Sequence, residues 1–239
     1  MTPLERTRLE KAAADCGFEL SPELVEKRLV FRSAQFPESV TVEPLGSDDF
    51  ALQASEPMLL PVPEEAADVF RVHGWNVLYE VLDKAAATAR TMPNRVAQKF
   101  HQATATLPKS TEAERLVVQR VGQNLFRTAL LDYWQGRCCV TGLAVPELLR
   151  ASHIKPWAQC DSDEERLDVF NGLLLAPHLD ALFDGGWMTF APDGAALWSA
   201  ALPPESRDIL GLASSRALHG LQAQHRPYLA FHRSQVFRG

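Results

Sequence analysis

The chain has 239 residues, 46% of them hydrophobic, enough for one or two ordinary cores, and reads as globular. No apolar run approaches the ~18 residues of a membrane span, the opening MTPLERTRLE lacks the apolar core of a signal peptide, and four cysteines (Cys16, Cys138, Cys139, Cys160) fit no disulfide framework. A reducing, cytoplasmic setting is expected, and the formal charge of −6 argues against a nucleic-acid partner until its distribution along the chain is considered.

In chain order, residues 3–14 read as a short helix with Leu4, Leu9 and Ala12 or Ala13 on one face. Strands are expected over 28–34, 39–44 and 50–55, where β-branched and aromatic residues alternate between turn formers at Pro37 and 46–49. From Pro63 the pattern turns helical, breaks near Gly74 and resumes with Leu78, Leu82 and Ala85 or Ala86 as its apolar stripe. These elements predict an α+β domain over residues 1–105, in which His73 and His101 stand alone and nothing has catalytic spacing.

Residues 104–110 (TATLPKS) read as a linker. Thr111 and Glu114 form a capping-box pattern, and the helix they start is expected to reach Tyr133 with Val118, Val121, Leu125 and Ala129 buried. Arg120 and Arg127 lie two turns apart on nearly one face, suited either to a phosphate backbone or to solvent.

The stretch 137–190 is different in kind, because it crowds His153, Asn171, His178, Asp180 and Asp184 into one short unit. Residues 149–154 predict a strand that delivers His153 at its end and is stopped by Pro156. An acidic loop, 158–168, turns the chain around. Asn171 opens a short apolar return strand over 172–175, and Pro177 suits the first turn of a helix ending near Asp184. Asp180 and Asp184, four apart, share a helix face, and His178 lies on another. A hairpin is expected from 187–190 and 195–198, and the tail from Arg216 mixes helix and extended chain.

Residues 1–105 hold 11 Lys/Arg against 16 Asp/Glu, net −5, whereas 106–239 hold 13 against 14, net −1. Residues 109–155 carry seven basic and four acidic side chains, and no acid follows Asp208, although Arg216, Arg226, Arg233 and Arg238 do. Two basic stretches therefore flank an acidic core, the arrangement that phosphate-positioning cations around ion-holding carboxylates require.

With HIKPW at 153–157, RLD-x-x-NGLLL at 166–175 and ALFD at 181–184, this half of the chain resembles the HNH (ββα-metal) endonucleases, most closely their restriction-type, phage-defence branch. The lead-in QRVGQNLFRTALLDYW and the closing YLAFHRSQVF resemble that branch too. The resemblance implies an α+β protein, with a recognition or regulatory domain over 1–105 followed by a nuclease domain over 106–239. It implies a metal-dependent endonuclease whose general base is His153, its tautomer held by Asn171. The helix ligand would be Asp180, with Asp184 a second oxygen one turn on, a pair suited to one Mg²⁺ or Mn²⁺. His178 is then a phosphate contact or outer-sphere group, with Lys155, Arg120 and Arg127 in similar roles. Ser152 stands where the family often has a ligand, and Gly185 where the branch often has a basic residue. The cysteine pairs of a zinc ribbon are missing, so no structural zinc is expected and Cys138 and Cys139 are expected to be buried thiols. DNA is the implied partner, with a second copy of the chain or a defence-system protein beside it and no membrane. A DNA-binding module without catalysis and an RNA nuclease are the competing readings.

Overall fold

A computed structural model describes every residue except 47, 62–68, 93, 109 and 213–216. Ser47 of the expected turn, the helical start at Pro63, Lys109 of the linker and Arg216 of the basic tail lie outside the described residues. The chain divides into two compact units, Met1–Arg90 and Thr91–Gly239. No described helix is long and apolar enough to cross a membrane.

The first unit opens with α1 (Pro3–Asp15), whose start is a capping box: the Thr2 hydroxyl accepts from the Glu5 amide, and the Glu5 carboxylate accepts from the Thr2 amide. Then comes a five-stranded antiparallel sheet in sequential order: β1 (Leu20–Val25), β2 (Arg28–Arg32), β3 (Val40–Gly46), β4 (Asp49–Ala54) and β5 (Phe70–His73). Alternation places Leu29 and Phe31, Val40 and Val42, and Phe50 and Leu52 in the core. Two of these strands escape the sequence reading for physical reasons. β1 is an edge strand with little burial and a proline at 22, so it shows no alternation, and β5 is only 4 residues long. The helix α2 (Trp75–Thr91) buries Leu78, Leu82, Ala85 and Ala86 as the stripe predicts, and the Arg8 guanidinium lies 3.9 Å above the Trp75 ring, tying α1 to it.

The second unit begins with α3 (Arg95–Thr104), which the sequence pattern places in the first domain. Here α3 packs on α4 (Glu112–Tyr133), because its apolar face of Val96, Ala97 and Phe100 needs a partner and Gly122 of α4 leaves room for the Phe100 ring. The Thr111–Glu114 capping box forms as expected. The buried stripe of α4 differs from expectation: it is Gly122, Phe126, Ala129, Leu130 and Tyr133, with Val118, Val121 and Leu125 only half-buried. The two large aromatics and the glycine, which admits neighbouring rings, rotate the helix away from its β-branched residues.

An antiparallel hairpin follows, β6 (Arg150–His153) with β7 (Gly172–Leu175), in a register that sets Arg150 opposite Leu175 and His153 opposite Gly172. The acidic loop between them carries a single helical turn, α5 (Asp163–Arg166), capped by Ser162. Asn171 closes a 3₁₀ turn before β7 rather than opening the strand. Then come α6 (Pro177–Asp184), the hairpin of β8 (Met188–Phe190) and β9 (Ala196–Trp198), α7 (Pro204–Ile209) and α8 (His225–Gln235). All four cysteines are buried free thiols. The Cys138 sulfur accepts from the amides of Thr141 and Ala176, so it organises the turn leading into α6.

The closing helix α8 braces this unit from behind. His232 Nε2 donates to the Phe183 carbonyl at 3.0 Å, its Nδ1 accepts from Thr189 at 2.9 Å, and its ring stacks 3.8 Å from that of Phe183. Arg233 donates to the Phe190 carbonyl at 2.7 Å, and Tyr228 donates to Asp168 at 2.8 Å. The C-terminal segment therefore holds α6 and the end of the acidic loop in place.

Candidate active site

His153 ends β6 at the mouth of the acidic loop. Its Nε2 lies 2.8 Å from the Arg166 carbonyl, and a carbonyl can only accept, so Nε2 carries the proton and Nδ1 keeps its lone pair. The ring stacks on Phe126 of α4 at 3.9 Å and 16°, with Trp157 edge-on at 5.5 Å. Burial pushes the imidazole below the ordinary histidine value, and the Arg166 carbonyl and the Asp184 charge pull the other way. The residue is thus held neutral at pH 7, in one tautomer and one orientation, as a proton acceptor requires.

Two glycines make this packing possible. A Cβ on Gly172 would meet Phe126 Cζ at 2.6 Å and Leu130 Cδ1 at 2.7 Å, and one on Gly122 would meet the Trp157 ring at 2.8 Å. The rings that wall His153 therefore occupy space that only glycine leaves.

Asn171 plays a different part from the one expected of it. Its side chain is fully buried, and its hydrogen bonds go to the loop and not to the imidazole. Oδ1 accepts from the Lys155 amide at 2.7 Å, and Nδ2 donates to the carbonyls of Glu165 at 3.1 Å and Lys155 at 3.3 Å. It ties the two ends of the loop together, and the group that fixes the tautomer is the next carbonyl along, that of Arg166. The Arg166 guanidinium closes the loop from the other side, donating to the Cys160 carbonyl at 2.6 Å and the Trp157 carbonyl at 3.3 Å and pairing with Asp163 at 3.1 Å. Nothing in strand alternation could have revealed this, because the acceptors are backbone carbonyls brought together by the loop's path.

Asp180 and Asp184 stand one turn apart on α6, as their spacing predicts. Burial raises the Asp180 pKa, the Asp184 charge raises it further, and the Ser152 hydroxyl and Arg150 lower it. The Asp184 charge bears on both Asp180 and His153, and the Ser152 hydroxyl bears on Asp180. Neither aspartate forms a salt bridge among the described residues. The Ser152 hydroxyl is buried beside Asp180 yet makes no hydrogen bond of ordinary geometry. Among the described residues no three His, Cys, Asp or Glu side chains gather as a metal cage. The oxygens of Asp180, Asp184 and Ser152 are donors of the type a hard divalent ion prefers, its shell completed with water and phosphate oxygens. His178 is half-exposed on another face of α6.

Two of the four expected phosphate contacts, Lys155 and Arg127, are already engaged. Lys155 Nζ binds both Glu165 oxygens at 2.8 and 3.0 Å and Asp161 at 3.1 Å. Arg127 donates to the carbonyls of Leu149 at 2.7 Å and Pro146 at 2.8 Å, clamping the approach to β6 onto α4. Arg120 stays exposed. Phe126, Trp157, Arg166 and Arg150 escape the sequence reading. The glycines at 122 and 172 are the available clue to the first two, and the alternation of β6 to the last.

Residues 138–191, which hold the hairpin, its loop and α6, match the family model described as HNH endonuclease. No curated protein matches the chain.

Proposed function

Since its second unit contains an HNH endonuclease domain, and therefore a nuclease fold directed at nucleic acid, we propose that this protein is a metal-dependent DNA endonuclease of restriction or phage-defence type. His153 is the general base. The observation that carries this reading is the bond from His153 Nε2 to the Arg166 carbonyl, which leaves Nδ1 unprotonated and held by packing from Phe126. Nδ1 takes a proton from the attacking water as the water oxygen bonds to phosphorus and the bond to the leaving oxygen breaks. Asn171 and Arg166 act through the loop, keeping that carbonyl in place. HNH nucleases generally use a divalent ion, and Asp180 and Asp184, with Ser152 beside them, would hold it here. As hard oxygen donors they suit Mg²⁺ or Mn²⁺, which when bound stabilises charge on the phosphate and the leaving oxygen. The first unit, with its own sheet and core, is a recognition or regulatory domain.

Supercoiled plasmid and a matched RNA, incubated with Mg²⁺, Mn²⁺ or EDTA, test this. The wild-type chain nicks or linearises the plasmid with the ions and not with EDTA, and His153→Ala loses about 10²-fold or more in rate with its circular dichroism unchanged. Cleavage by His153→Ala at the wild-type rate, or cleavage confined to RNA, overturns the assignment of base or substrate respectively.

A further inference from the structure

The nuclease reading needs a cation to orient the scissile phosphate, and most of the basic side chains around the hairpin are committed elsewhere. Between residues 150 and 175 the basic residues are Arg150, Lys155 and Arg166. Lys155 is neutralised by Glu165 and Asp161, and Arg166 pairs with Asp163 and donates to two loop carbonyls. Beyond the hairpin, Arg127 and Arg233 are spent on backbone carbonyls.

Arg150 differs. It is exposed and makes no ion pair or side-chain hydrogen bond among the described residues. It opens β6 two positions before Ser152, so alternation puts both side chains on the same face of the hairpin. Its cross-strand partner is Leu175, two residues before α6 begins, which sets it beside the helix that carries Asp180 and Asp184.

We propose that Arg150 binds the phosphate of the substrate, its guanidinium forking onto phosphate oxygens beside the Asp180 and Asp184 carboxylates. This rests on the nuclease reading and adds to it the group that positions the substrate. A guanidinium offers paired donors in a plane that matches two phosphate oxygens, whereas an ammonium offers a point charge. Arg150 could serve the Asp180 carboxylate alone, as a screen, and the two roles separate experimentally.

The experiment uses the full chain and three forms of it, wild type, Arg150→Gln and Arg150→Lys. Duplex binding is measured in Ca²⁺ over a salt series, single-turnover plasmid cleavage in Mn²⁺, and Mn²⁺ affinity by calorimetry without DNA. Loss of one phosphate contact makes the slope of log K against log salt shallower by about 0.9 in Arg150→Gln, and cleavage falls about 10²-fold. Arg150→Lys restores the slope but only part of the rate, because the fork is gone. Wild-type slope and rate in Arg150→Gln overturn the inference while the nuclease reading stands. A changed Mn²⁺ affinity with an unchanged slope overturns it in favour of screening. Wild-type protein that neither binds nor cuts DNA overturns the nuclease reading, and this inference with it.

Discussion

Replacing Asn171 by alanine removes the buried amide that joins the two ends of the acidic loop, and the consequences follow from its bonds. The Lys155 amide loses its acceptor at 2.7 Å and the Glu165 carbonyl its donor at 3.1 Å. Each orphaned buried backbone group costs about 1–3 kcal/mol, with water entering the gap setting the lower end. We expect a loss of about 2–4 kcal/mol, which for a unit of this size lowers the melting temperature by roughly 5–15 °C. The Arg166 carbonyl, next along the chain, is then no longer held against His153 Nε2, so the imidazole is free to change tautomer and turn, and cleavage falls about 10²-fold. Asn171→Asp keeps an acceptor for Lys155 but aims a carboxylate at two carbonyls, and should be equally slow. Thermal melts followed by circular dichroism and plasmid cleavage well below the melting range separate the two effects. A variant that melts early yet cuts at the wild-type rate refutes the idea that the loop clamp holds the base.

Gly172→Ala forces a methyl into Phe126 and Leu130, with an expected cost of about 1–3 kcal/mol. Denaturant unfolding measures it, and Phe126→Leu in the same chain should recover part of the stability but none of the activity lost with the His153 stack. Asp180→Ala should lose cleavage and Mn²⁺ affinity together, and EDTA should stop cleavage without altering the circular dichroism of the wild type. A calorimetric titration with unchanged affinity refutes the ligand assignment. Burial lowers the His232 pKa from 6.5 to about 4, so the unfolded chain binds the extra proton between those values. Stability is then full above pH 6.5 and declines as pH falls toward 4, by about 3 kcal/mol at most. His232→Asn should flatten that slope in melts taken across the window. A fragment starting at Thr91 should fold and melt cooperatively, whereas one starting at Ser110 lacks α3 and exposes the α4 surface around Gly122, so it should melt lower in a side-by-side scan.

Local chemistry was enough for the elements whose partners lie close in sequence. The capping box at Thr111, proline at the start of α6, the alternation in β2 to β4 and the four-residue step from Asp180 to Asp184 depend on neighbours within a turn or a strand, so a pattern of residues specifies them. The same locality let the order of His153, Asn171 and the two aspartates be read as one strand, loop, strand and helix. β1 was invisible for the converse reason, since an edge strand with both faces wet has no alternation to display.

The inner workings of the site belong to the tertiary structure. That His153 leans on Phe126, that Asn171 serves the loop while a carbonyl serves the imidazole, and that Lys155 and Arg127 are spent on carboxylates and carbonyls while Arg150 is left exposed, all depend on groups 6 to 27 positions apart in the chain. A residue's type states which bonds it is able to make. Which of them it makes is decided when folding brings competing donors and acceptors together, because each buried polar group takes the partner that removes its desolvation cost. Among the basic side chains of the hairpin and its supports, that competition, and not their number or their position in the sequence, takes up Lys155, Arg166 and Arg127 and leaves Arg150 exposed.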